Sequence, residues 1–191
     1  MTIHRGARAI HWDYVLSMEE DLLRLSRFVD FSGNDTTYSI EIARILMAAA
    51  AESDVVLKAL CRSVDRASRV RSIGGYFPIV DRTFPGLFTL PVLIDRYNLT
   101  LKPWSDWTEA TPPRWWTANN KLKHERADRF DDANLKNCLN AVAGLFAVVL
   151  YLYREEAASG QLLPAPALLR IPNVMSNAMN AHPARYDFQL P

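Results

Sequence analysis

The sequence predicts an all-α protein, an up-and-down helical bundle of about four main helices with one long irregular insertion. Apolar residues recur at spacings of three and four before residue 71 and after residue 113, which is the period of amphipathic helices. Six of the 11 prolines fall between these segments, together with many aromatic residues. The 191 residues are 49% hydrophobic and 23% charged, which is typical of one globular domain with a single core.

The first helix is predicted over residues 12–31. Its apolar side chains fall three and four positions apart, and acidic and basic side chains occupy the other faces. The segment Ser32-Gly33-Asn34-Asp35 is a turn signal, because these residues favour the backbone angles of turns. We therefore expect the first helix to end there.

A second, longer helix is expected to start at Thr36 or Tyr38 and to reach about Arg71. Its middle, residues 45–51, is rich in Ala and apolar on nearly all sides, which indicates a path through the centre of the bundle. The pair Gly74-Gly75 is expected to end it, since glycine weakens helices.

Residues 73–113 are predicted to form an insertion between the second and third helices. Its prolines exclude long helices, although a short one is allowed at about residues 90–97. Residues 77–80 and 87–90 could pair as a small hairpin. A connection of this length inside a compact domain is usually functional or packed as a lid.

Two further helices follow the insertion. Thr111 is a candidate N-cap, with a proline at the first helical position, for a third helix reaching about Arg126. Asp131 or Asp132 is expected to cap a fourth helix that continues to about Glu156. Residues 1–160 then form a single helical domain, and residues 161–191, rich in Pro, Ala and Asn, an extended C-terminal arm on the bundle or on a partner.

Composition and charge narrow the class of protein. The net charge of +1 implies no partner by itself. Cys61 and Cys138 lack metal-type spacing and are expected to be buried thiols in a reducing compartment. No secretory signal is recognised, and the longest uncharged apolar run, residues 141–153, has 13 residues against the about 20 that span a membrane. We therefore expect a cytoplasmic protein without membrane contact.

Residues 114–126 have the highest density of reactive side chains. Cations, amides and an imidazole together can hold a phosphate and move a proton beside it. On a helix, Trp116, Asn120 and His124 share one face, and Asn119, Lys123 and Arg126 share a neighbouring one. The alternative is a histidine that ends the helix beside solvated cations.

Over about residues 12–156 the sequence resembles the HEPN superfamily (higher eukaryotes and prokaryotes nucleotide-binding). The resemblance rests on this motif, on the segment from Glu52 through Lys58 to Cys61, and on the long apolar helix that follows the motif. The resemblance implies an α-helical bundle, often homodimeric, of the kind found in bacterial toxins, phage-defence proteins and RNA-processing enzymes. The family motif is an Arg, often followed by a polar residue such as Asn, with a His about four to six residues further on. In catalytic members, the Arg and the His cleave RNA without metal at a composite site in the dimer cleft.

The motif departs from the family pattern at the Arg position. It reads Asn119-Asn120-x3-His124, so that Asn119 stands where the family has Arg, and Arg114 lies too far upstream. Asn brings no charge to stabilise a pentavalent transition state. One alternative is that the charge comes from Arg126, Lys123 or Arg114 in another geometry. The other is that catalysis is lost and a binding surface remains.

The resemblance and the residue types together suggest roles. His124 would take the 2′-hydroxyl proton or protonate the leaving oxygen, and Arg126 and Lys123 would hold the scissile phosphate. Asn119 and Asn120 would orient the ring and the phosphate. Glu52 could fix His124 or pair with Arg126, or it could form a plain structural ion pair.

A second set of cations is a candidate RNA-binding surface. Four of them fall within an arc of about 80° on the predicted second helix, which suits a phosphate backbone, unless Asp54 and Asp65 neutralise this face. The full candidate set is Lys58, Arg62, Arg66, Arg69, Arg114 and Lys121. The alternative is a solvated helix face.

Four of the five tryptophans lie between residues 104 and 116, where they could stack bases or, more often, form a satellite core under the insertion. His4, His11 and His182 have no ligand spacing, so we expect no metal site and no cofactor.

The sequence thus predicts a HEPN-like RNA-binding homodimer, with metal-independent endoribonuclease activity as the candidate reaction. A bacterial defence, toxin or stress setting, with a partner protein from the same operon, follows from the resemblance alone. One alternative is a catalytically inactive dimeric interaction or sensor module, if internal salt bridges occupy His124 and Arg126. Another is a bundle that binds a small nucleotide in a Trp-lined pocket.

Overall fold

A computed structural model describes residues 9–172, 174–176 and 186–191, so that His4 and His182 lie outside the described residues. This part of the chain is mostly helical, which confirms the all-α class at that level. Its helices are α1 (Ile10–Leu25), α2 (Ile40–Val64), α3 (Ile73–Thr83), α4 (Arg114–His124), α5 (Leu135–Leu152) and α6 (Arg154–Ala158). Two antiparallel pairs of short strands complete it: β1 (Val92–Ile94) with β2 (Leu99–Leu101), and β3 (Val174–Ser176) with β4 (Tyr186–Phe188).

Helix α5 forms the centre of the core. It is buried without interruption from Ala141 to Tyr151 and packs along α2, with α1 and α4 also against it. By length and composition α5 could cross a membrane, but 78% of the segment Leu135–Leu152 is buried inside the protein, as is usual for a core helix.

Helices α1 and α2 run antiparallel, as two polar pairs show. Arg44 Nη2 lies 2.8 Å from Asp21 Oδ2, and His11 Nδ1 lies 2.6 Å from Glu52 Oε1. From Asp21 back to His11 along α1, the partner on α2 advances from Arg44 to Glu52, so the two helices run in opposite directions. Helix α1 ends at Leu25, earlier than predicted, because the chain turns there to bury Phe31.

Helix α2 is shorter than predicted at both ends. The Ser39 side chain accepts the Ile42 N–H at 3.1 Å and starts the helix. The helix stops at Val64, and the Asp65 carboxylate then accepts the Ala67 N–H at 2.9 Å, which closes a turn. Arg66 lies within this turn and Arg69 beyond it, so the prediction that four cations share one helical face was wrong.

Gly74 and Gly75 begin a helix instead of ending one. The Ser72 hydroxyl accepts the Gly75 N–H at 3.4 Å at the start of α3. Tyr76 and Val80, four residues apart, are buried, and Tyr76 Oη donates to Asp54 Oδ1 on α2 at 2.8 Å. Burial of this face favours the helix despite its glycines and its internal proline.

The insertion contains a hairpin, but not the one predicted. Residues 77–80 lie in α3, and Pro85 begins a short 3-10 turn, so neither predicted strand forms. Strands β1 and β2 pair instead, with Val92 opposite Leu101, which also replaces the predicted short helix. Asn98 closes their connection at φ 52°, a left-handed conformation that asparagine tolerates.

Neither helix α4 nor helix α5 is capped by the residue predicted for it. Helix α4 begins at Arg114 with no capping by Thr111, and Asp106 Oδ2 accepts the Arg114 N–H at 3.1 Å. The cap of α5 is Asn134, not Asp131 or Asp132, because its side chain accepts the Asn137 N–H at 3.1 Å. The fourth predicted helix is interrupted at Tyr153, after which α6 follows.

The described part of the C-terminal arm packs on the helices. The buried Glu19 carboxylate of α1 accepts the backbone N–H groups of Ala167, Leu168 and Leu169, each at 2.7 Å. Arg170 exchanges backbone hydrogen bonds with Leu93 of β1. The arm therefore joins α1 to the hairpin of the insertion.

Both cysteines are buried and free, as predicted. Burial raises the pKa of the Cys61 thiol to about 11 and also raises the pKa of Cys138. Both side chains are thus neutral thiols that pack as small apolar groups near pH 7.

Candidate functional site

Helix α4 positions the predicted motif and divides it between the core and the solvent. One side of the helix packs inward through Trp115, Ala118, Asn119 and Leu122. The other side presents Asn120, Lys123 and His124 to solvent. The predicted pairing of Asn120 with His124 on one face is therefore present, four residues apart on the exposed side of α4.

Asn119 does not belong to this exposed group. It is only 2% exposed, and its Oδ1 atom has no hydrogen-bond partner. It shares the inward face with Leu122, so its amide cannot reach a phosphate at the His124 surface. The predicted role of Asn119 in orienting a ring or a phosphate is corrected on this ground.

His124 and Arg126 are both exposed, at and just beyond the end of α4. Among the described residues neither forms an ion pair with a carboxylate, and Arg126 Nη2 makes a 3.4 Å contact with Met47 Sδ on α2. Lys123 is likewise exposed without such a partner in this part of the chain. An imidazole and two cations are thus available to a ligand at this end of α4.

Glu52 is engaged elsewhere. Its Oε1 accepts from His11 Nδ1 at 2.6 Å, and the His11 ring lies 6.1 Å from the Tyr153 ring. The predicted partnership of Glu52 with His124 or Arg126 is therefore replaced by a half-buried pair that links α1 to α2. The sequence contained no local signal for this pair, because its members are 41 residues apart.

Several of the predicted RNA-binding cations are paired. Lys58 contacts Asp54, and two further pairs, Arg114 with Asp106 and Lys121 with Asp132, have N···O distances of 3.7 Å. Arg62, Arg66 and Arg69 are exposed and lack a carboxylate partner in the described ranges. The candidate set is thus divided between ion pairs and free cations.

The four clustered tryptophans form a satellite core under the insertion, which is the second of the two alternatives given by the sequence. Trp104, Trp107, Trp115 and Trp116 are all buried, and successive rings lie 5.1–5.5 Å apart. Rings in this arrangement cannot stack on bases from solvent. The cluster instead fastens the insertion to α4 and α5.

A groove lined by cations and amide side chains, which the sequence did not predict, lies near the start of α4. Two adjoining cavities, of about 300 and 420 Å³, share Lys102, Ser105, Lys136 and Asn140. Arg114 lines the first of them. These residues come from the insertion, α4 and α5, so no local motif could have indicated that they converge.

No cluster of three or more His, Cys, Asp or Glu suited to a metal ion occurs within the described ranges. No family model matches the chain, and no curated protein or solved structure matches it either. The HEPN interpretation therefore remains a prediction that rests on the motif and on helix order.

Proposed function

We propose that this protein is a HEPN-like RNA-binding protein and a metal-independent endoribonuclease whose site is the exposed end of α4. The observation that supports this best is that His124 and Arg126 are exposed and not occupied by carboxylates within the described residues. Internal salt bridges at these side chains would instead have favoured the inactive module.

In the proposed reaction, the His124 imidazole removes the 2′-hydroxyl proton of the substrate. The 2′-oxygen then attacks the adjacent phosphorus to form a 2′,3′-cyclic phosphate, and the bond to the 5′-oxygen of the next nucleotide breaks. This 5′-oxygen leaves as a hydroxyl group, with a proton from the protonated His124 or from water. Arg126 and Lys123 hold the phosphate oxygens, and Asn120 orients the ring or the phosphate. Asn119 contributes nothing to this step, because it is buried.

The proposal is tested by incubating labelled tRNA and mixed RNA with the purified protein in excess EDTA. The wild type is expected to cleave. The cleavage rate of His124→Ala should be lower by a factor of at least about 100, as expected for loss of a general base. Arg82→Ala, which removes an exposed cation from α3, is the control and should cleave normally.

Circular dichroism must first show that each of these variants is folded. Cleavage that survives in folded His124→Ala, or no cleavage by the folded wild type, would contradict the nuclease proposal. Binding of the same RNAs, measured in parallel by fluorescence anisotropy, separates loss of catalysis from loss of binding.

The second candidate function is a catalytically inactive dimeric interaction or sensor module. Exposed apolar side chains favour it: Phe28 is 84% exposed and Ile40 is 81% exposed. Because α1 and α2 are antiparallel, these residues lie at the same end of the helix pair. Exposed apolar groups at one end of a helix pair favour a surface that contacts a partner.

We expect this surface to support a homodimer, which light scattering coupled to gel filtration measures directly. The double variant Phe28→Ser, Ile40→Ser should be monomeric, because it removes the apolar contact area. A matched double variant at other exposed apolar positions, Ile10→Ser with Val55→Ser, controls for surface polarity in general. A wild-type monomer, or equal loss of dimer in both variants, would count against this surface.

A further inference from the structure

The groove near the start of α4 is built on rigid elements. The turn at residues 102–106 follows β2, and its Ser105 hydroxyl donates to the Lys102 carbonyl at 2.8 Å. Two buried indoles fasten this turn: Trp115 Nε1 donates to the Pro103 carbonyl at 2.7 Å, and Trp104 Nε1 donates to the Gly144 carbonyl at 3.1 Å. The groove wall is therefore preformed, as binding sites usually are.

The groove carries more positive than negative charge. Lys102, Arg114 and Lys136 line it, against the carboxylates of Asp35 and Asp106, which leaves a net charge of +1. Asp106 is already engaged, because it accepts the Arg114 N–H at 3.1 Å and lies 3.7 Å from Arg114 Nε.

Lys102 and Lys136 are exposed and form no ion pair within the described residues. Two ammonium groups that face one cavity repel each other. An anion bound between them would be attracted to both, and this attraction would offset the repulsion. A phosphomonoester carries about −1.5 to −2 charges at pH 7 and three strong acceptor oxygens, which suits these donors.

The amide side chains of the groove offer acceptors beside these cations. Asn140 Nδ2 donates to the Lys136 carbonyl at 2.9 Å, and Asn137 Nδ2 donates to the Asp132 carbonyl at 2.9 Å. These bonds use one N–H group of each amide, which leaves its carbonyl oxygen and its second N–H group for a ligand. These oxygens can accept hydrogen bonds from ligand hydroxyl groups.

We propose that this groove is a binding site for a small phosphomonoester that carries hydroxyl groups. Lys102, Lys136 and Arg114 bind the phosphate, and Asn137 and Asn140 accept from the hydroxyl groups. The cavities of about 300 and 420 Å³ fall at the lower end of the ~300–1,000 Å³ of small-molecule sites. The site lies at the opposite end of α4 from His124, roughly 15 Å along its axis, and does not depend on RNA cleavage.

Isothermal titration calorimetry of the full chain in phosphate-free buffer tests the proposal. The probes are ribose 5-phosphate, adenosine 5′-monophosphate, inorganic phosphate and ribose. Both phosphomonoesters should bind at least about tenfold more tightly than inorganic phosphate, because their hydroxyl groups add hydrogen bonds to Asn137 and Asn140. Ribose should not bind, because the phosphate provides the main attraction. The stronger of the two phosphomonoesters then identifies a sugar phosphate or a nucleotide as the better ligand.

Lys102→Ala and Lys136→Ala should each weaken binding of the phosphomonoesters by about tenfold or more, since each removes a charged donor. Arg82→Ala removes an exposed cation away from the groove and should bind as the wild type does. No binding by the folded wild type, equal binding of inorganic phosphate, or full affinity in both lysine variants would each overturn the proposal. The RNA-cleavage assay is read on His124→Ala, so the two proposals fail independently.

Discussion

At the scale of single residues, Glu19 holds the C-terminal arm against α1. Its carboxylate is buried and accepts three consecutive backbone N–H groups, from residues 167 to 169. Hydrogen bonds to a charged acceptor are shorter and stronger than those between neutral groups, and the three N–H groups would otherwise be left unsatisfied. A carboxylate can be buried here because these donors replace its water.

Glu19→Gln is expected to lower the free energy of unfolding by about 3 kcal/mol, because the neutral amide weakens three hydrogen bonds and turns an N–H group toward other donors. Glu20→Gln is the matched control. Glu20 is exposed and lies 3.7 Å from Arg24, so its loss should change stability by about 0.5 kcal/mol or less. Urea unfolding measures both, and equal effects would refute the role of Glu19.

Asn119 and Asn120 show how a step of one residue decides whether a side chain is buried or exposed. A helix turns about 100° per residue, so adjacent side chains can lie on opposite sides of the core boundary. The inward face of α4 includes Trp115 and Leu122, which places Asn119 inside and Asn120 outside. Periodicity alone could have assigned these faces, had the buried side of α4 been taken from its apolar residues instead of from the HEPN motif.

At the scale of elements, α3 shows that packing can override local preference. The helix contains Gly74, Gly75 and Pro78, each unfavourable inside a helix. It forms because Tyr76 and Val80 are buried and Tyr76 Oη donates to Asp54. The same hydrogen bond and, above all, burial raise the pKa of Tyr76 above its usual range.

Gly74→Ala is expected to raise the free energy of unfolding by about 0.5–1 kcal/mol. The added Cβ would meet no atom within 4 Å beyond its chain neighbours and the backbone of its own helix, and the unfolded chain loses entropy. At Gly75 the added Cβ would lie 3.3 Å from Val70 Cβ, so Gly75→Ala should stabilise less or destabilise. Thermal unfolding of the two variants compares them. A larger gain at Gly75 would show that Val70 can move away.

At the scale of the whole molecule, the C-terminal arm completes the core. Leu162, Leu168, Leu169 and Ile171 are all buried, although the arm contains no helix within its described residues. The arm also contacts β1 through Arg170, so it connects α1 to the insertion. The helical domain predicted for residues 1–160 therefore has part of its apolar surface covered by later residues.

Leu169→Ala is expected to destabilise the protein by about 2–4 kcal/mol, because it leaves a cavity between the arm and the helices. Leu163→Ala, at an exposed position of the same arm, removes the same atoms and should cost less than about 1 kcal/mol. Chemical denaturation of both variants gives the difference. Similar small losses would mean that the arm detaches without affecting the core.

The helical class and the approximate positions of α1, α2, α4 and α5 were determined by the sequence, because apolar periodicity is a local property of each segment. The exposed face that carries Asn120 and His124 also follows from local spacing. Helix α3, the hairpin of the insertion and the exact ends of the helices did not, since burial and capping partners decided them.

Only the tertiary structure paired Glu52 with His11, placed the arm on Glu19 and brought Lys102, Arg114 and Lys136 to one groove. Each of these arrangements joins segments that are distant in the chain or that belong to different elements. The physical reason is that a hydrogen bond or a shared cavity depends on positions in space, which helix packing sets and which no spacing along the sequence specifies.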